Sequence, residues 1–277
     1  MTATPAVLLR GAVAMPQVGI GVFLVDDADA ERVVRTAIDA GYRSVDTAAA
    51  YQNERGVGRA VAACGVPRGD LFVTTKIWNT EHGFSATTRA ARESLDRLGL
   101  DYVDLLLVHW PVPEQDRYVP TWQALLHLRE AGLARAVGVS NFQPEHITRL
   151  LEATGEPPAV NQVELHPLFT QDPLRRFGAA TGIVTEAWHP LAPGTGLLTD
   201  PVVARIAVKH GRSAAQVVLR WHVQQGHVVI PKSTRPERIR ENIDVYGFAL
   251  DVADMADLDG LNQGKRLGPD PATFFLP

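Results

Sequence analysis

Cysteine occurs once in the 277 residues, as Cys64, so no internal disulfide can form and a reducing, cytoplasmic compartment is expected. No apolar stretch reaches the roughly 20 residues that a membrane-spanning helix needs. Basic runs are missing as well, and the net charge is −4, which points away from nucleic acid and from an anionic membrane surface as partners. The first ten residues lack the basic, then apolar, then small-residue order of a secretory leader, so none is expected. Lysine is scarce: Lys76, Lys209, Lys232 and Lys265 stand among 27 basic residues that are otherwise arginine. An ammonium differs from a guanidinium in shape and in how far its pKa can be moved, so the context of each lysine matters. The remainder, 45% hydrophobic and 21% charged, is enough to bury one large core.

Short β-branched or aliphatic runs alternate with helical patterns along the whole chain. A hairpin is expected around Leu8 to Val13, with Gly11 at its turn. Strands are then expected at 18–21, 44–46, 71–76, 103–109, 134–140, 160–164, 183–187 and 228–230. Helical patterns fall at 29–40, 54–63, 85–98, 121–131, 144–153, 173–181, 201–210 with 213–225, and 236–246. Eight strand-helix units in about 240 residues match a (β/α)8 barrel, with the hairpin plugging its bottom. A doubly wound dinucleotide fold would place a three-glycine fingerprint after its first strand, but Gly19 and Gly21 have no third partner and Gly56-Val57-Gly58 lies inside a helix pattern. With no repeat or linker, residues 1–277 read as a single domain.

Active sites of such barrels sit at the C-terminal ends of the strands. The polar residues expected there are Asp46, Lys76, His109, Ser140 with Asn141, Gln162 with Glu164, Trp188 and Lys232. Taken singly, an Asp before a loop is more often a helix cap than a catalytic group, and a His at a strand end is more often a hydrogen-bonded structural residue. Lys76 is different, because it interrupts the buried-type strand Phe72-Val73-Thr74-Thr75-Lys76-Ile77 and must be paired if it points inward. Asp46, on the neighbouring strand, is the natural partner. Tyr51 follows five residues later; a phenol titrates at about 10, and a nearby ammonium is expected to lower that value and make a tuned proton donor. Metal catalysis lacks paired ligands at the right spacing, a serine nucleophile lacks its strand-turn-helix motif, and Cys64 reads as a packing residue.

The segments GYRSVDTAAAYQNERGVG (41–58), LFVTTKIWN (71–79), DYVDLLLVHWP (101–111), GVSNF (138–142), PAVNQVELHP (158–167) and VVIPKSTRPERIRENI (228–243) together resemble the aldo-keto reductases over nearly the whole chain. The resemblance implies an NADPH-dependent carbonyl reductase in which Tyr51 is the proton donor, Asp46 and Lys76 tune it, and His109 orients the carbonyl. It further implies that Ser140, Asn141 and Gln162 meet the nicotinamide carboxamide, and that Trp188 lies under the ring with Leu191 nearby. Lys232, Ser233, Thr234 and Arg238 combine cations, hydroxyls and helix N-terminal amides into an anion site. By resemblance that site takes the 2′-phosphate of NADPH, with Glu241 and Asn242 on the adenine.

Within the family, Trp188-x-Pro190-Leu191 is most similar to the bacterial 2,5-diketo-D-gluconate reductases, with His189 where those commonly have glycine. His189 is expected to face solvent. Phe23, Trp78 and Trp110, with His109, are expected to wall the substrate pocket; Trp122 is expected to pack in the core, and the turn-rich tail after Leu261 to cap the pocket in part. The expected substrates are small carbonyl compounds, such as aldehydes, α-dicarbonyls or keto-sugars, handled by a monomer. The alternative from another class is an NADP(H)-binding regulatory subunit with little turnover, as in the potassium-channel subunits that resemble this family.

Overall fold

Runs that are apolar on both sides of the pleat, such as 105–108 and 136–139, suit strands buried between a barrel interior and a helical jacket. A computed structural model describes residues 5–276 and places them so. Strands β1 (Ala6–Leu8) and β2 (Ala14–Pro16) form an antiparallel hairpin. The eight barrel strands are β3 (Ile20–Gly21), β4 (Ser44–Asp46), β5 (Phe72–Ile77), β6 (Val103–Val108), β7 (Ala134–Ser140), β8 (Val160–Glu164), β9 (Val184–Trp188) and β10 (Val228–Val229). They run parallel in sequence order. The ring closes through a parallel bridge between Val18 and Val229, with the Gly19 amide donating to the Val229 carbonyl at 2.8 Å. Glycine is needed at this closure, because a Cβ on Gly19 would stand 2.9 Å from Ser44 Oγ. This is the expected (β/α)8 barrel.

The helices are α1 (Asp27–Asp39), α2 (Glu54–Ala63), α3 (Phe84–Leu98), α4 (Tyr118–Glu130), α5 (Pro144–Thr154), α6 (Asp172–Thr181), α7 (Pro201–His210), α8 (Ala214–Gln224), α9 (Pro236–Ile243) and α10 (Val252–Asp259). In α1 the apolar stripe laid on the barrel is Ala30, Val33, Val34, Ala37 and Ile38. Among the described residues no helix is long and apolar enough to cross a membrane. Leu9, Val13 and Met15 at the hairpin pack on Phe72, Leu105, Leu107, Val160 and Val228, so the hairpin plugs the N-terminal end of the barrel and leaves the opposite mouth for chemistry. Two expectations shift. The helix expected to 246 stops at Ile243, and α10 was not anticipated. Only Asp254 and Leu258 of α10 are buried, a stripe too thin to read from sequence.

Candidate active site

The strand ends bring the polar residues to one mouth. A cavity of about 1300 Å³ opens there, lined among others by Phe23, Asp46, Tyr51, Trp78, His109, Trp110, Ser140, Asn141, Gln162, Trp188, Leu191, Lys232 and Arg238. Lys76 lies beneath it, fully buried, with all three ammonium protons directed: Asp46 Oδ1 at 2.6 Å, the Thr47 carbonyl at 2.9 Å and Tyr51 Oη at 3.3 Å. The loop carrying Tyr51 is stitched down by Asn53. Its Nδ2 donates to the carbonyls of Val22 and Val25, and its Oδ1 accepts from Thr47 Oγ1 at 2.6 Å. These bonds fix the tyrosine over the ammonium before any ligand arrives.

The electrostatics differ from the sequence expectation at one point. Tyr51 has its pKa raised, because burial outweighs the lowering by Lys76 and the Asp46 charge adds to the rise. The phenol therefore keeps its proton in the resting protein. Burial pulls the Lys76 pKa down, but Asp46 above all reverses this and holds the ammonium above its ordinary value. His109 is pushed well below its ordinary pKa by burial and then by Lys76, so it is a neutral imidazole, and its Nδ1 has no hydrogen-bond partner. Its ring lies 5.7 Å from that of Tyr51 and 5.1 Å from that of Trp78. Phe23 stands 5.1 Å from Tyr51, and Trp110 stacks on Phe274 at 4.2 Å, which completes an aromatic wall.

On the other side of the mouth the polar groups hold one another. Asn141 Nδ2 donates to the His109 carbonyl and to Ser140 Oγ, while its Oδ1 accepts from Trp188 Nε1 at 2.8 Å. Gln162 Nε2 donates both to Asp46 Oδ2 and to Glu186 Oε2, each at 2.8 Å. Glu186 escaped the sequence reading. The available signal was a carboxylate in mid-strand, two residues before Trp188 and so on the same face. Glu164 is fully buried, accepts from His166 Nε2 at 3.0 Å, and takes the amides of Leu267 at 2.6 Å and Gly268 at 2.8 Å. Thus the tail is strapped across the mouth, where Phe274 and Leu276 line the cavity and Asn79 Nδ2 holds the Leu276 carbonyl at 2.9 Å. A Cβ on Gly268 would come within 2.4 Å of the Trp188 ring, so the strap packs directly on that indole.

Not every expected residue reaches the cavity wall. Ser233, Thr234, Glu241 and Asn242 do not line it. Ser233 is buried and its Oγ accepts from the Arg235 amide at the start of α9, whereas Lys232 and Arg238 are exposed. His189 corrects another expectation: it is half-buried, lines the cavity, and sits 4.9 Å from the Trp188 ring in the left-handed backbone region at φ 50°. Trp122 is in the core as expected, 0% exposed.

The arrangement can bind a planar amide beside an indole, hold a carbonyl between a phenol and a neutral imidazole, and take an anion at the end of β10. The donor set suits a nicotinamide nucleotide. With both N–H groups of Gln162 spent on carboxyls, its carbonyl oxygen remains to accept from a carboxamide, and Trp188 is pinned as a flat wall.

Comparison with known proteins points the same way. Residues 17–263 match the model of the aldo/keto reductase family. An aldo-keto reductase of Mycolicibacterium smegmatis is 54% identical over 271 residues, covering 98% of each chain. The methylglyoxal reductase DkgA of Escherichia coli is 46% identical over 274 residues, covering 98% of this chain and 99% of its own. A crystal structure of a mutant of Gox0644 in complex with NADPH superposes with a TM-score of 0.95 at 44% identity, over 99% of this chain and all of that one.

Proposed function

Because the chain belongs to the aldo/keto reductase family, whose members are NADP-dependent oxidoreductases of carbonyl groups, we propose that it reduces aldehydes and activated ketones with Tyr51 as proton donor. The substrates in view are α-dicarbonyls and keto-sugars such as 2,5-diketo-D-gluconate. The E. coli relative is named a methylglyoxal reductase, which supports the dicarbonyl class. The observation that carries the reading is the Asp46–Lys76–Tyr51 line, in which a buried ammonium lies 3.3 Å from the phenol oxygen at the floor of an aromatic cavity.

When bound, the reduced nicotinamide supplies a hydride to the substrate carbon. Ser140, Asn141 and Gln162 would hold its carboxamide, Trp188 and Leu191 would flank it, and Lys232, Ser233, Thr234 and Arg238 would take the 2′-phosphate, with Glu241 and Asn242 toward the adenine. His109, kept neutral by burial and by Lys76, directs an imidazole N–H at the carbonyl oxygen and orients it. Tyr51 then gives its Oη proton to that oxygen. The phenolate left behind faces the Lys76 ammonium, whose attraction offsets the burial that otherwise opposes ionisation. Phe23, Trp78 and Trp110 exclude water from the reacting carbonyl.

Tyr51→Phe tests this. The variant removes the proton and leaves the walls, so NADPH affinity should stay within about twofold while methylglyoxal turnover falls by about 100-fold or more. Turnover near the wild-type rate in Tyr51→Phe would refute the acid assignment. Tight NADPH binding by the wild-type protein with no turnover on any carbonyl would favour a regulatory subunit instead.

A further inference from the structure

Glu186 is completely buried in the barrel, yet it has no positive partner of its own. Its Oε2 accepts from Gln162 Nε2, and its Oε1 has no hydrogen-bond partner. A carboxyl so placed is costly, and an apolar side chain of similar size would fill the same space without the penalty. What it does accomplish is visible at Gln162. A primary amide has two N–H protons and one carbonyl oxygen, and here both protons are drawn inward, one to Glu186 and one to Asp46. With two acceptors on one side, the amide has a single good orientation, because the reversed one would set its oxygen against the Asp46 carboxylate.

We propose that Glu186 is a positioning residue of the reduction: it turns the Gln162 amide so that the carbonyl oxygen faces the cofactor while the nitrogen braces Asp46. The chain of contacts then runs from β9 through β8 to β4 and β5, and couples the grip on the nicotinamide to the line that ends at Tyr51. The inference rests on the reading that Gln162 meets the carboxamide and Tyr51 is the acid. The charged groups facing Glu186 are Asp46 on β4 and Lys76 on β5. Burial and then Asp46 push its carboxyl up to about 8, so it holds a proton at neutral pH and still accepts through Oε2. Ionisation above that pH adds a second negative charge beside Asp46 and opposes the phenolate at Tyr51.

The test compares Glu186→Met, which cannot accept, with Glu186→Gln, which can. NADPH dissociation constants are read by quenching of tryptophan fluorescence, and methylglyoxal turnover is read between about pH 6 and 10. The expected result is about a tenfold loss of NADPH affinity in E186M, recovered to within about threefold of wild type in E186Q. Wild-type turnover should decline above about pH 8, and that decline should move upward in E186Q, which has nothing to ionise. Wild-type NADPH affinity in a folded E186M, or no recovery in E186Q, overturns the proposal. Should E186M fail to fold, NADPH affinity in E186Q weaker than wild type by well over about threefold overturns it by itself. Turnover that persists in Tyr51→Phe refutes the acid assignment alone, since the difference in NADPH affinity between the two Glu186 variants is measured without turnover.

Discussion

Replacing Lys76 with methionine separates the structural from the chemical part of the buried pair. The ammonium is 0% exposed and its partner carboxylate 3%, at 2.6 Å, so water does not compensate when one charge is removed. Asp46 would keep only its bond from Gln162 Nε2. Breaking a buried pair in this way costs about 3–5 kcal/mol. At roughly 2–4 °C per kcal/mol for a chain of this size class, the melting temperature should fall by about 6–20 °C. The double variant Asp46→Asn/Lys76→Met leaves a neutral pair that Gln162 can still bond, and about half of the loss or more should return. The assay is urea unfolding of the wild type, both single variants and the double variant at pH 7, with tryptophan fluorescence as probe. A loss under about 1 kcal/mol in Lys76→Met, or a double variant no more stable than that single one, would refute the claim that an unpaired buried charge sets the penalty. Turnover should stay lost in the double variant even as stability returns.

Removing the cation from Lys232 or Arg238 should raise the NADPH dissociation constant by about tenfold each and leave that of NADH nearly unchanged, as a charge-assisted contact to a phosphate implies; equal losses with both cofactors would place the phosphate elsewhere. Glu186 predicts a stability slope. Its carboxyl rises from 4.5 to about 8 on folding, so the folded state binds the proton more tightly, and the associated stability, full below about 4.5, is lost as pH climbs through about 8. Urea unfolding at several pH values should show this component in the wild type and not in Glu186→Gln. Gly268→Ala would drive a Cβ to 2.4 Å from the Trp188 ring, so the strap or the indole must move. A changed tryptophan emission and weaker NADPH binding are expected, and an unchanged spectrum would contradict the packing described.

How much of this could be read from the sequence depends on the range of the interaction. The strands at Ala134–Ser140 and Val160–Glu164 have the bounds expected, because 136–139 form a continuous apolar run and Val160 and Val163 frame polar residues of the second strand, which is buried along its whole length. The Asp46–Lys76 pair was legible because one lysine interrupts a strand otherwise fit for burial, and only a neighbouring strand can answer it. The direction of the Tyr51 shift was not. A single ammonium is visible in sequence, but the depth of the cavity and the opposing Asp46 charge appear only once the loop is folded. Glu186 was missed for a related reason: Gln162 is 24 residues away in sequence and links it to Asp46, a further 116 residues distant from Gln162, so the relation exists only after the sheet curls shut. Likewise nothing in the tail announces that Glu164 will anchor it.

The way the ring is shut has a dynamic consequence. Its two closing strands, Ile20–Gly21 and Val228–Val229, are the shortest in the barrel and meet through one bridge and a few amide bonds, whereas β5, β6 and β7 share long ladders. Local opening follows the thinnest hydrogen bonding, so amide exchange at Gly19, Gly21 and Val229 should run ahead of the rest of the sheet. Both edges of this seam lead straight to the mouth, one into Phe23 and the other into Lys232. The barrel should thus open first beside its mouth, and a ligand bound to the loop after β10 should slow amide exchange across the weakest join of the cylinder.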